Sequence, residues 1–307
     1  MLNKEQPAVP TASHKSAWDD ELAWKFSLQE RILVLAPHPD DEILAAGGII
    51  ATTLKLRPPS AIRVVVATNG EASYATAFFH GSHLLSKRNF KRLAVRRQQE
   101  SLSALIFLGL SLEQIHFLGF PDRGLASIWQ HHWDAQQPYR SPTTGYDQCE
   151  QALNSLVMPF TGAGLLQLIQ KELSEFQPTA IILPHPKDAH PDHSALANFT
   201  LLAAGIHYSQ QRQPSPRLLA YMMWAGNKPW LTGVRPHDIT SQPGKREAAS
   251  TGWQRLTMHP NIRDQKALAL KCYRSQNFSA GQLLRDRAQS IHEVFVLLKP
   301  YSVIVER

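Results

Sequence analysis

Apolar residues in this chain gather in short unbroken runs, with amphipathic stretches between them. RILVLA (31–36), IRVVVAT (62–68), IHFLGF (115–120), TAIILP (179–184) and RLLAYMMW (217–224) are such runs. A run without polar alternation suits a strand covered on both faces, as in a parallel sheet. Helices are expected from Asp40 to Leu56, over 86–109 with Leu108-Gly109 as a glycine C-cap, and over 162–176, 192–207 and 262–275. VFVLL (294–298) and SVIVE (302–306) read as edge strands. Residues 121–160, rich in Pro, Gln, His and Trp, read as a long irregular connection, and a Pro/Gly-rich loop runs from 224 to 258. Strands alternating with helices imply βαβ units. The expected fold is α/β: a single Rossmann-like domain over 29–307 with a mostly parallel sheet flanked by helices, behind an irregular lead-in over 1–28.

Composition narrows the picture. With 307 residues, 43% hydrophobic and 19% charged, the chain can bury a core and is neither disordered nor low-complexity. Cys149 and Cys272 lie far apart, which excludes a disulfide scaffold and a CxxC zinc module. No apolar run approaches the roughly 20 residues of a membrane span. The first residues carry Asp19, Asp20 and Glu21 and do not resemble a signal peptide, so a cytoplasmic protein is expected. A net charge of +7 allows contact with an anionic lipid surface. The densest basic patch is Lys87, Arg88, Lys91, Arg92, Arg96 and Arg97. It holds a single aromatic, Phe90, and most of its residues read as a solvated helix face rather than a nucleic-acid site. The 14 histidines matter more, because imidazole is the commonest neutral metal ligand.

One arrangement occurs twice. RILVLAP-His38-Pro39-Asp40-Asp41 and AIILPHPKDA-His190-Pro191-Asp192-His193 each place a histidine and a proline where a buried strand gives way to a helix. Proline suits the first helical position, and an acidic residue in the first turn suits the helix dipole. Both clusters therefore fall beyond the carboxyl ends of parallel strands, where ligand crevices form in open α/β sheets. His38, Asp41 and His193 supply two imidazoles and a carboxylate, the ligand set of a catalytic zinc with one open position. Asp40 is left as a general base, and His190 as a histidine oriented by Asp192. The bland alternative makes the aspartates helix caps with incidental histidines; two copies on matching junctions argue against it. No GxGxxG follows the first strand, and no P-loop or GxSxG elbow is present.

These residues carry a resemblance. APHPDDEILAAGG and PHPKDAHPDHSAL resemble the two signatures of the LmbE/PIG-L family of zinc-dependent N-acetylglucosaminyl deacetylases. TNGEAS (68–73), the pair Arg97 and Glu100, FLGFPDRG (117–124) and KALALKCYRSQ (266–276) resemble further segments of that family. The resemblance implies a hydrolase acting on carbon–nitrogen bonds in linear amides, which removes acetate from an N-acetylglucosamine conjugate with water activated by the metal. The carrier of the sugar is a small molecule such as inositol, malate or a glycopeptide. His38, Asp41 and His193 match the ligands of one zinc, or of iron(II) in its place. Asp40 matches the base, His190 in its protonated form the oxyanion holder, and Asp192 the partner of His190. Arg97 and Asp122 match positions that hold sugar hydroxyls. Two other readings compete: a zinc amidase acting on a non-sugar amide, and a non-catalytic sugar-binding relative, against which the presence of a base argues.

Overall fold

The computed structural model describes residues 30–58, 61–80, 85–149, 157–211, 214–225, 228–229, 253–277 and 281–298. One seven-stranded sheet organises them. Its strands are β1 (Ile32–Ala36), β2 (Ile62–Thr68), β3 (Ile115–Phe120), β4 (Ala180–Pro184), β5 (Arg217–Tyr221), β6 (Trp253–Thr257) and β7 (His292–Leu298). Their spatial order is β6-β7-β5-β4-β1-β2-β3. The five strands from β5 to β3 run parallel, and β7 is antiparallel to both β5 and β6. The helices are α1 (Asp41–Leu56), α2 (Tyr74–His80), α3 (Lys87–Leu108), α4 (Leu125–His131), α5 (Gly162–Phe176), α6 (Pro191–Gln211), α7 (Pro260–Leu270) and α8 (Gly281–Gln289).

The unbroken apolar runs are explained by burial on both faces. Along β1, Ile32, Val34 and Ala36 join the core under α1, α7 and α8, while Leu33 and Leu35 join the core under α5 and α6. The chain lays down β1, β2 and β3 in one direction and then returns to place β4 on the other side of β1. Strands β1 and β4 are paired in register from Ile32↔Ala180 to Val34↔Ile182. That switch point is where the two histidine motifs meet, although about 150 residues separate them in sequence.

Helix α1 is buried over its first thirteen residues, so it needs partners on every side. A fully buried ion pair supplies one: Lys266 Nζ lies 2.6 Å from Glu293 Oε1 and donates to the Leu44 carbonyl at 3.0 Å. Glu293 in turn accepts the N–H groups of Gly48 at 2.6 Å and Ile49 at 3.0 Å. Gly48 leaves room for this approach, since a Cβ there would collide with Met258 and crowd the Glu293 carboxylate.

The α/β expectation holds, with local corrections. The connection 121–160 contains α4 and a short ladder of Gln148–Cys149 with Met158–Pro159. The stretch expected as a loop up to 258 ends in β6. The helix expected over 262–275 stops at Leu270 and yields to a 3₁₀ turn over Arg274–Asn277, and α2 and α8 were not anticipated. The lead-in over 1–28 and the strand expected over 302–306 lie outside the described residues. Among the described residues no helix is long and apolar enough to cross a membrane.

Candidate metal centre and active site

A cavity of about 430 Å³ opens where β1 and β4 end. His38, Asp40, Asp41, Arg97, Asp122, His190 and His193 all line it, and Asp192, wholly buried, stands behind the wall. Every site residue expected from the sequence is thus brought to one place.

Asp41 Oδ2 is the focus. It lies 3.0 Å from His38 Nδ1 and 3.2 Å from His193 Nε2. The outer nitrogen of each ring faces further carboxylates. His38 Nε2 is 3.2 Å from both Asp122 Oδ1 and Asp192 Oδ2, and His193 Nδ1 is 3.4 Å from Asp188 Oδ2. Carboxylates commonly back the histidines of a metal site in this way, since the outer bond sets ring orientation and tautomer.

Charge points the same way. Burial opposes protonation of His193, yet Asp41 and Asp188 overcome it and push the imidazole up to about 9. Burial is likewise overcome at His38, chiefly by Asp122, which raises it well above its ordinary value. Asp41 is held well below the usual carboxylate range by His193 and His38, against its burial. Five buried aspartates (Asp40, Asp41, Asp122, Asp188 and Asp192) crowd this wall, and Arg97 is the guanidinium bonded among them. Two imidazoliums offset the excess; a divalent cation is the charge that this donor set fits. Ring nitrogens of His38, His190 and His193 also lie within 4.8 Å of one another. Asp41 Oδ2 approaches both His38 and His193 within 3.2 Å, which suits its carboxylate to complete a ligand set with the two rings.

Asp40 differs from its neighbour in every respect. It occupies the N-cap position of α1, yet its side chain makes no capping hydrogen bond, and its φ is 129°, where a non-glycine residue is strained. Its carboxylate instead accepts from Arg97 Nη2 at 3.1 Å. Burial, helped by Asp41 and Glu42 and opposed by Arg97, raises its pKa to about 7. A carboxylate titrating near neutrality is matched to proton transfer.

Three expectations change. Asp192 does not orient His190 through its carboxylate. Oδ2 serves His38 and the Arg123 N–H (2.6 Å) and Oδ1 the Leu125 N–H (3.0 Å), because the side chain points under the 123–125 turn. His190 is not driven to its charged form: burial and the charges on His38 and His193 lower it to about 4. Its Nδ1 accepts the Asp192 N–H at 3.3 Å, so the neutral ring carries its proton on Nε2. Arg97, expected as a sugar contact apart from the solvated basic face, is already committed within the protein. It turns inward, donating to the carbonyls of Gly70 (2.6 Å) and Pro39 (2.7 Å) as well as to Asp40. Gly70, at φ 66°, must be glycine, because a Cβ would collide with that guanidinium. Asp122 is also engaged, on His38 and on the Ala72 N–H at 2.9 Å.

The sequence reading assigned no role to Asp188, Glu42 or Glu71. Asp188 accepts the N–H groups of His190 (2.9 Å), Met223 (2.7 Å) and Trp224 (3.2 Å), tying the second motif to the end of β5. Its place two residues before His190 was the available signal. Glu71 accepts the Asp122 N–H at 3.2 Å, and burial with the charge of Asp122 raises it to about 8.

Comparison with known proteins adds three likenesses. A 1D-myo-inositol 2-acetamido-2-deoxy-alpha-D-glucopyranoside deacetylase of Mycobacterium sp. (strain KMS) is 31% identical over 189 residues, 61% of this chain and 53% of that protein. The chain thus spans about half the length of the curated relatives that it matches. The N,N'-diacetylchitobiose deacetylase of Pyrococcus horikoshii shares the fold with a TM-score of 0.53 at 16% identity, covering 92% of each chain. So does the 4-carboxy-2-hydroxymuconate hydratase of Pseudomonas putida KT2440, with a TM-score of 0.55 at 14% identity over 91% of this chain and 99% of the other. The profile of the GlcNAc-PI de-N-acetylases (PIG-L) matches residues 33–204, which include both histidine motifs. That match takes in more than half of the 307 residues, and the chain belongs to this family.

Proposed function

We propose that the protein is a metal-dependent hydrolase that removes the acetyl group from an N-acetylglucosamine-containing small molecule. The observation that carries the reading is the sharing of Asp41 Oδ2 by His38 and His193, with the Asp40 carboxylate on the same cavity wall but engaged elsewhere. His38, Asp41 and His193 would hold one divalent ion, zinc or iron(II). When bound there, such an ion acidifies water and polarises an acyl carbonyl.

The chain's own groups divide the remaining work. Asp40, poised near neutral pH, takes the proton of the attacking water. His190 donates its Nε2–H to the carbonyl oxygen as negative charge develops there, which a neutral imidazole can do. The N–H of a neutral imidazole is a very weak acid, so Asp40, already carrying the proton taken from water, is the group that hands it to the departing nitrogen. Amide and water become amine and acetate, and Asp40 returns to its starting state. Asp122 and Arg97 border the space where the sugar would lie.

The experiment is a panel of N-acetylglucosamine conjugates incubated with purified, zinc-loaded protein and followed by mass spectrometry for release of acetate. Loss of acetyl from at least one conjugate, abolished by chelator and restored by metal, is expected. Turnover that survives complete metal removal would sink the reading.

A further inference from the structure

We infer that Glu42, locked by Tyr273 and Ser101, is a positioning residue that holds Asp40 in the backbone conformation needed for proton transfer. The inference rests on the reading of Asp40 as the base, and its structural part can be tested without turnover.

Glu42 lies one residue beyond the metal-side carboxylate, in the first turn of α1, and its side chain is wholly buried. It points away from the cavity and is absent from its lining. Oε2 accepts the backbone N–H of Asp40 at 2.9 Å. Oε1 accepts the hydroxyl of Tyr273 at 2.6 Å and that of Ser101. Ser101 is 0% exposed and Tyr273 1%. A buried carboxylate costs several kcal/mol unless it is paired or hydrogen-bonded, and three donors are what make this one tolerable.

The donors come from different parts of the fold. Ser101 lies on α3, four residues after Arg97, and Tyr273 lies in the turn after α7. That turn is itself fastened to α3, because Ser275 donates its N–H (2.9 Å) and its hydroxyl (2.5 Å) to Glu100. Helix α3 therefore grips Asp40 twice: Arg97 holds the carboxylate, and Ser101, through Glu42, holds the N–H.

Asp40 needs both grips. A non-glycine residue at φ 129° is strained and stays there only when its surroundings over-determine it. The Asp40 carbonyl is already committed to the N–H groups of Ile43 (3.1 Å) and Leu44 (2.9 Å) in α1. Its N–H is the other backbone group to be held, and Glu42 is the acceptor that fixes it. Without that acceptor the backbone can rotate to an ordinary helix-cap conformation and carry the carboxylate off the wall. The cost expected for misplacing a reacting group by about 1 Å is roughly 100-fold in rate.

The test uses Glu42→Ala, Glu42→Gln and Tyr273→Phe in the zinc-loaded protein. Gln can turn its oxygen to the Asp40 N–H and its amide to the two hydroxyls, which rotate to accept. It should therefore keep most of kcat. Tyr273→Phe removes one of three donors and should lower kcat by about 3- to 10-fold, and Glu42→Ala by about 10- to 100-fold. In all three, KM and metal content should stay within about two-fold of wild type. A parallel fall of kcat, metal content and melting temperature would make Glu42 merely structural and overturn the inference. Gln as damaging as Ala would assign the effect to charge and overturn it too. Should Glu42→Ala not fold, Tyr273→Phe and Glu42→Gln carry the same comparison. A crystal structure of Tyr273→Phe or Glu42→Ala reads the position of Asp40 directly, independent of turnover. Asp40 should leave or become disordered about φ 129°; Asp40 unmoved in Glu42→Ala refutes positioning whatever the activity. A wild-type protein that releases no acetate would sink the proposed function instead, leaving this structural readout to stand or fall alone.

Discussion

Replacing Arg97 by Met separates two roles that the sequence merged. The guanidinium was expected to hold sugar hydroxyls, but the structure spends it on Asp40 Oδ2 at 3.1 Å and on the carbonyls of Pro39 and Gly70. Among the influences on Asp40, Arg97 is the chief one keeping its pKa down against burial, so that it settles at about 7. An opposite charge at this range lowers a carboxylate by about 1–3 pKa units, so its loss should move Asp40 to roughly 8–10. The base must be ionised to act, and activity therefore rises with pH through the Asp40 pKa. At pH 7 the ionised fraction would fall from about one half to between about 0.1 and 0.001, a loss of about 5- to 500-fold that is recovered as the pH is raised. The assay is kcat/KM for acetate release from pH 5.5 to 10, with metal content and melting temperature measured in parallel. Arg92→Met, on the exposed face of α3, is the control, and Arg97→Lys should restore part of the acid limb. An Arg97→Met profile with the limb where wild type has it, and a raised KM, would return Arg97 to a pure sugar contact.

The paired aspartates should part company on mutation. Asp40→Asn should keep the metal and lose about 10²–10⁴-fold in kcat, whereas Asp41→Asn should lose metal and regain some activity in added zinc; metal analysis beside kinetics decides, and metal loss from Asp40→Asn refutes the division. Asp188→Asn, which weakens the carboxylate behind His193, should cost about 10- to 100-fold in metal affinity, measured by competition with a chromogenic chelator. Glu71 keeps its proton up to about pH 8 when folded but loses it near 4.5 when unfolded, so wild-type stability should decline between those values. Glu71→Gln, which can still accept the Asp122 N–H, should show a melting-temperature advantage that grows from pH 4.5 and levels off above about 8; a pH-independent gap would contradict the raised pKa.

Much of the fold was legible because its period is short. The strands β1, β2 and β4 are buried on both faces, so each appears as an apolar run whose ends fall within a residue of those observed. The histidine motifs were legible for the same reason, being anchored to strand ends that the runs mark. The two helices that escaped notice in the first half, α2 and α4, are each seven residues long, barely two turns, too short to show an amphipathic period along the sequence. Helix α7 was expected too long because Tyr273 and Ser275 continue the helical spacing, although they are used to bind Glu42 and Glu100.

The polar layer behind the ligands was not legible, and the reason is physical. Which carboxylate meets the outer nitrogen of a histidine depends on how β1, β3 and β4 stand beside one another, and sequence distance carries no trace of it. Asp192 is next to His193 and two residues from His190, yet its charge goes to His38, 154 positions away. Proximity in the motif suggested one partner; the sheet order supplied another. The same fold houses a hydratase, so the layers of strand and helix do not choose the reaction. What distinguishes this chain lies in the polar layer at the strand ends, where Asp40 is strained at its backbone, gripped from two sides by α3, and raised by burial to a pKa of about 7.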